Sequence, residues 1–454
     1  MPFLSINPAT GEEFFRAEGH RPKQVEAILE DAAQATPAWR DTPIEARCRL
    51  LQQAAAVLRA RRDEFAELVT LEMGKLAGEA RAEIEKCAAG CDYYAEHAAE
   101  FLADELVDTD ASRSLVAYQP LGTVLAVMPW NFPFWQAIRC AAPALAAGNT
   151  VLLKHASNVP QCALAIERVF EEAGFPEGVF RTLLVGSDVV ESLLADPRVH
   201  AVSLTGSDQA GRAVAAHAGK HLKKAVLELG GSDPFIVLAD ADLDEAAAQG
   251  VKSRFQNAGQ SCIAAKRFLV QDSVLDEYLA RFARAVEGLL PGDPCVAGTT
   301  LAPMARRDLR TELHEQVADA LAHGATAVAG GYPLDRPGAF YAPTILSGVR
   351  PGMRAWTEEV FGPVALVIAV KDEDEAIAIA NASRFGLGGS VWTQDLARGE
   401  RLARRLECGA AFVNGMVKSD PRLPFGGVKD SGYGRELSRH GIREFVNAKT
   451  VWIG

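Results

Sequence analysis

The sequence predicts an α/β fold of at least two domains, and three observations carry that prediction. The chain has 454 residues, more than one hydrophobic core usually organises. From Pro120 onward, short apolar runs bounded by glycine and proline (GTVLAVMP, NTVLLK, RTLLVG, AVSLTGS) alternate with helical segments such as CALAIERVFEEAGF, the pattern of β-α-β units on a parallel sheet. A second alternation runs from PFIVL through KRFLV to FVNG, with DLDEAAAQGVKSRFQNAG and DLRTELHEQVADALAHGA as its helices.

Taken in order, the first hundred residues carry long helical patterns. In PIEARCRLLQQAAAVLRARRDEFAELVTLEMG apolar positions recur every three or four residues, and Gly74 marks a stop. Cys87 and Cys91 lie four apart in the next helical stretch; with no second Cys pair or His partner, they read as packing and no metal site is expected. The final segment, SRHGIREFVNAKTVWIG, ends in a β-like run of the kind that docks on a neighbouring domain or subunit.

Composition narrows the function classes. Nearly half of the residues are apolar and about a quarter charged, the balance of a globular protein. The net charge of −12 contains no long Lys/Arg block, so nucleic acid is not an expected partner. The first residues lack the pattern of a secretory signal, and the apolar stretch from Ala141 to Leu153 is cut by Pro143, Gly148 and Asn149. A cytoplasmic protein without a membrane span, its eight cysteines reduced, is the expectation.

Three features point to chemistry. Gly206 and Ser207 follow the apolar run AVSL and precede a helical stretch, a place where backbone N–H groups and a helix dipole suit pyrophosphate; a plain strand-to-helix turn has the same residues. Lys154 closes the run NTVLL, where a cation can hold ribose hydroxyls or a phosphate or simply face solvent. Cys262, in GQSCIAAKR, is a buried filler or a nucleophile.

These features keep company with PWNFP (129–133), ELGG (228–231), GQSC (259–262), EEVFGP (358–363) and PFGGVKDSGYGRE (424–436). In that order, and over practically the whole chain, the motifs resemble the aldehyde dehydrogenase superfamily. The resemblance implies that Cys262 is the nucleophile, that Asn131 donates to the oxyanion, and that Glu228 is the base that activates water. It places Trp130, Lys154, Ser157, Gly206, Ser207, Leu229, Glu359 and Phe361 on a nicotinamide dinucleotide. It also implies a Rossmann-like cofactor domain (1–105 and 121–229), an α/β catalytic domain (230–425) and a small β oligomerisation extension (106–120 and 426–454), assembled as a homodimer or homotetramer.

Ser157 stands three residues after Lys154, where many NAD-using relatives have a glutamate that would repel a 2′-phosphate, so NADP is expected, with NAD second. The wider stretches look most like shorter bacterial succinate-semialdehyde dehydrogenases, implying an aldehyde with a carboxylate at its far end. Arg139, Ser419, Ser261 and Trp135 are the candidates to hold it; for Arg139 an interdomain salt bridge is the alternative. Other ω-carboxylated or aliphatic aldehydes, a CoA-acylating enzyme and a silent binding protein on the same scaffold are the competing readings.

Overall fold

The computed structural model describes residues 2–454. Four helices, Pro22–Asp41, Ile44–Ala60, Arg62–Met73 and Ala77–Phe101, fill the predicted helical region, behind a hairpin of strands Pro2–Ile6 and Glu13–Glu18 that the sequence reading did not include. The long periodic stretch is two helices broken at Arg61. The second ends at Gly74, whose φ of 83° is the left-handed conformation that closes a helix.

The six-stranded sheet has the order Gly432–Tyr433, Lys224–Glu228, Val199–Thr205, Thr123–Met128, Thr150–His155, Phe180–Thr182. All of its strands are parallel except Gly432–Tyr433. Thr123–Met128 leads to Thr150–His155 on one side, and the chain later returns to lay Val199–Thr205 on the other. This reversal opens a crevice outside the carboxyl ends of Thr123–Met128 and Val199–Thr205, where Trp130 and Gly206 emerge. Of the predicted run RTLLVG only the start is strand, Phe180–Thr182.

The seven-stranded sheet runs Thr326–Ala329, Thr344–Ser347, Val364–Val370, Ala265–Gln271, Asp233–Val237, Gly388–Trp392, Ala410–Val413, parallel except at its first pair. Both large sheets bury apolar side chains on two faces, so their strands read as continuous apolar runs. A three-stranded antiparallel sheet pairs Val446–Ile453 with Arg113–Pro120 and Glu105–Leu106, and exposes Leu106, Trp452 and Ile453.

The segment 426–454 reaches two of the sheets. Strand Gly432–Tyr433 joins the six-stranded sheet beside Glu228, and Leu229 donates its N–H to the Ser431 carbonyl at 3.1 Å. Among the described residues no helix is long and apolar enough to cross a membrane.

Candidate active site

Cys262 lies between helix Leu243–Phe255 and strand Ala265–Gln271, on a turn of unusual hand. Asn257 and Ala258 have φ of 54° and 53°, and Gly259 has φ of 72°. Left-handed backbone costs a residue with a Cβ about 1–2 kcal/mol, and partners surround this one. Glu79 accepts the Asn257 N–H at 3.2 Å. The Asn257 amide donates to the carbonyls of Asn131 (2.8 Å) and Gln260 (3.1 Å), and the buried Arg254 guanidinium donates to the carbonyls of Gly259, Val360 and Gly362. A Cβ on Gly259 would lie 2.2 Å from the Gly362 carbonyl oxygen, so glycine is demanded here by space as well as by φ.

The same network holds Asn131. Lys75, ion-paired with Glu83 in the core, donates to the Asn131 carbonyl at 2.9 Å and sits over the Phe132 ring. Glu83 in turn accepts the N–H groups of Phe134 and Trp135, closing the first turn of helix Pro133–Ala146. Gln136 donates to Asn131 Oδ1 at 3.0 Å, which fixes the amide so that Nδ2 faces the cysteine loop, 3.1 Å from the Gln260 carbonyl.

Glu228 ends strand Lys224–Glu228, and neither of its buried carboxylate oxygens has a hydrogen-bond partner among the described residues. Burial pushes its carboxyl well up; Arg139 opposes the rise and Glu436 adds to it. The Cys262 thiol is pushed up to about 12, by burial first, against the pull of Lys266 and Arg139. Burial thus disfavours the charged form of both groups. The glycines after Glu228 let two groups approach: a Cβ on Gly230 would lie 2.4 Å from a Glu359 oxygen, and one on Gly231 2.6 Å from the Cys262 carbonyl. Glu359 accepts from the Gly231 N–H (3.0 Å) and from Lys266 (3.1 Å), and Lys266 also donates to the carbonyls of Ser261 and Cys262.

Two cavities meet at Cys262. An open cleft of about 360 Å³ is lined by Trp130, Asn131, Gly206, Ser207, Leu229, Glu359, Phe361 and Cys262. Trp130 and Phe361 form an edge-on pair with centroids 5.9 Å apart. Ser207 caps helix Asp208–Lys220 by accepting the Ala210 N–H at 3.2 Å, which leaves its hydroxyl hydrogen for a ligand. A Cβ on Gly206 would meet nothing closer than 3.7 Å, so the backbone there is open to an approaching group. Lys154 and Ser157 stand apart from this lining, at the carboxyl end of the adjacent strand Thr150–His155, Lys154 half-buried and Ser157 exposed.

The second cavity, an inner chamber of about 90 Å³, is lined by Cys262, Trp135, Arg139, Ser261 and Ser419, all singled out from the sequence, and by Lys86, which sequence reasoning missed. For Arg139 the geometry favours the alternative role. Its Nε is 2.5 Å from Glu436, its Nη2 donates to Thr205 Oγ1 at 3.3 Å, and the guanidinium lies over the Phe425 ring. A guanidinium so occupied ties the helix after Asn131 to the carboxyl-terminal segment, and it lines the inner chamber as well. Cys87 and Cys91 are core residues whose thiols burial pushes up.

An open cleft at a sheet's reversal point, lined by a cysteine and an amide donor and with a buried carboxylate near the cysteine, defines a class: an oxidoreductase of the α/β type. The chain belongs to the aldehyde dehydrogenase family, whose model matches residues 2–451. It is 54% identical over 453 residues, the full length of both chains, to a probable NADP(+) succinate-semialdehyde dehydrogenase of Synechocystis sp.. It is 52% identical, again over the full length of both, to succinate-semialdehyde dehydrogenase [NADP(+)] 1 of Mycobacterium tuberculosis. Among solved structures, it matches succinic semialdehyde dehydrogenase from Streptococcus pyogenes in complex with NADP+ with a TM-score of 0.98 and 40% identity over 99% of each chain.

Two expectations follow. Arg139→Ala strands a buried Glu436 and lowers unfolding free energy by about 3–5 kcal/mol, whereas Arg139→Met with Glu436→Gln recovers most of the loss; urea unfolding checks both. Because the thiol is pushed up, alkylation of Cys262 in the free protein rises about tenfold per pH unit between about pH 7 and about pH 9, as mass spectrometry of iodoacetamide-treated samples will report. A rate flat across that range contradicts the upward shift of the thiol.

Proposed function

We propose that the protein oxidises succinic semialdehyde to succinate with NADP. The observation that carries the reading is that Cys262 lines both the dinucleotide cleft and the inner chamber, so one sulfur faces both reactants.

The cleft's residues fit the cofactor. The open backbone at Gly206 and the uncommitted hydrogen of Ser207 suit pyrophosphate at a helix start, and Trp130, Leu229, Phe361 and Glu359 suit the nicotinamide half. Lys154 is half-buried, its proton affinity lowered by burial, with no carboxylate in ion-pair distance among the described residues; with Ser157 beside it, this is a place for a 2′-phosphate rather than for a bare ribose. When bound, NADP supplies the hydride acceptor.

The chain's own groups do the rest. Cys262, once deprotonated, adds through Sγ to the aldehyde carbon, forming a thiohemiacetal whose oxyanion takes a hydrogen bond from the Asn131 amide and one from the Cys262 N–H. Losing such a donor costs about 3–4 kcal/mol of transition-state stabilisation. Departure of hydride leaves a thioester on Cys262. Glu228, ionised in its turn, takes a proton from water as the water oxygen attacks the thioester carbon, and the carbon–sulfur bond breaks to release succinate and the thiol. Glu228 is the feature that favours hydrolysis over transfer to CoA. The exposed apolar edge at Leu106, Trp452 and Ile453 supports assembly of copies through the three-stranded sheet.

A panel of aldehydes against NADP and NAD tests the reading: kcat/KM is highest for succinic semialdehyde with NADP, and Ser157→Glu reverses the cofactor preference. A wild-type preference for NAD or for an uncharged aldehyde rejects it. Stopped-flow of Glu228→Gln gives one burst of NADPH per site followed by slow turnover; undiminished steady-state turnover means that another group activates the water.

A further inference from the structure

Lys266 is buried in the middle of the site and has no part in the chemistry above. It is the second residue of strand Ala265–Gln271, at a point where the pairing with strand Asp233–Val237 jumps. Asp233 faces Ala265 and Pro234 faces Arg267, so Lys266 stands out of register between them. A shift of this kind, opposite a proline that has no N–H for the ladder, re-aims the side chain it carries.

The ammonium has three N–H donors, and all three point into the site. They go to the carbonyls of Ser261 (2.8 Å) and Cys262 (2.6 Å) and to Glu359 Oε1 (3.1 Å), the oxygen that also accepts the Gly231 N–H at 3.0 Å. One end of this arrangement is the backbone of the nucleophile; the other is a carboxylate that lines the dinucleotide cleft. Burial pushes the Cys262 thiol up to about 12; of the groups that oppose the rise Lys266 comes first and Arg139 second, while Glu228 and Glu359 add to it. Two further charges face the Lys266–Glu359 pair, Asp233 from the adjacent strand and Arg254 from helix Leu243–Phe255.

We propose that Lys266 is a positioning residue that couples the cofactor cleft to the nucleophile: the free Glu359 carboxylate neutralises its charge, and ribose hydroxyls that donate to Glu359 release that charge toward the sulfur. An ammonium stabilises a neighbouring anion more when no carboxylate pairs with it. The sulfur is then the better nucleophile once the hydride acceptor is in place, and an aldehyde that arrives first meets a weaker one. The proposal rests on the reading of the cleft as a dinucleotide site.

The test reads alkylation of Cys262 by iodoacetamide at about pH 8, by mass spectrometry. Lys266→Met and Glu359→Gln break the same ion pair yet move the rate in opposite directions, down and up by about tenfold each, the effect of about one pH unit on thiol ionisation. A pair that only held the fold together would move both the same way. Should Lys266→Met fail to fold, Lys266→Gln is read in its place, and Lys266→Arg, which keeps the charge, retains most of the wild-type rate. ADP-ribose carries the terminal ribose without the nicotinamide and leaves the inner chamber open to the reagent; its binding is followed by tryptophan fluorescence. It raises the wild-type rate by about tenfold and leaves that of Lys266→Met unmoved. Rates that shift in the same direction in the two variants, or an ADP-ribose complex that reacts no faster than the free protein, overturn the proposal and leave the dinucleotide reading intact. A protein that does not bind ADP-ribose overturns both.

Discussion

The left-handed turn at Asn257, Ala258 and Gly259 is the constraint on which the site is built. It brings the chain back on itself between helix Leu243–Phe255 and strand Ala265–Gln271, and so aims Cys262 at the gap between the two large sheets. Such a turn does not persist on propensity. The N–H of Asn257 on the Glu79 carboxylate, a bond of the stronger kind worth about 1.5–3 kcal/mol, together with the bonds from Arg254 and the Asn257 amide, outweighs the strain. Because one of those bonds ends on the Asn131 carbonyl, the turn and the proposed oxyanion donor are set by one network. Nucleophile and donor cannot drift independently.

Helix Ala77–Phe101 supplies that network from behind. Glu79, Glu83 and Lys86 are spaced four and three apart and share one face of the helix. Glu79 holds the turn, Glu83 caps helix Pro133–Ala146 and pairs with Lys75, and Lys86 reaches the chamber. A helix that contributes no residue to the nucleophile, donor or base thus aligns all of the inner site. The environment of Glu228 and of the Cys262 thiol is of another kind: burial disfavours the charged form of each, and neither carboxylate oxygen of Glu228 has a hydrogen-bond partner among the described residues.

Much of this was legible in the sequence. Apolar runs bounded by glycine marked the strands, and motifs such as PWNFP, ELGG and GQSC marked the loops, because strand cores and backbone close approaches demand particular residue types at particular positions. The hairpin at Pro2–Ile6 escaped notice because its strands are short and largely exposed, and the return of Gly432–Tyr433 to the cofactor sheet because two residues carry no periodicity. For Arg139, sequence gives a cation's type and not its partner; Glu436, nearly three hundred positions away, pairs with it beside the chamber. Lys86 was overlooked for the converse reason. In a charged helix it resembles a solvated lysine, and only the i, i+4, i+7 alignment with Glu79 and Glu83, together with the apolar Cys87 and Gly90 that follow, hinted that this face is buried.

The coupling of the turn to the oxyanion donor is tested most directly by the rate of Cys262 acylation in Asn257→Gly. Glycine accepts the left-handed backbone and removes only the amide that bridges to Asn131 and Gln260. In that variant NADP affinity is unaltered and the pre-steady-state burst is slowed by about a hundredfold; a burst at the wild-type rate would contradict the coupling.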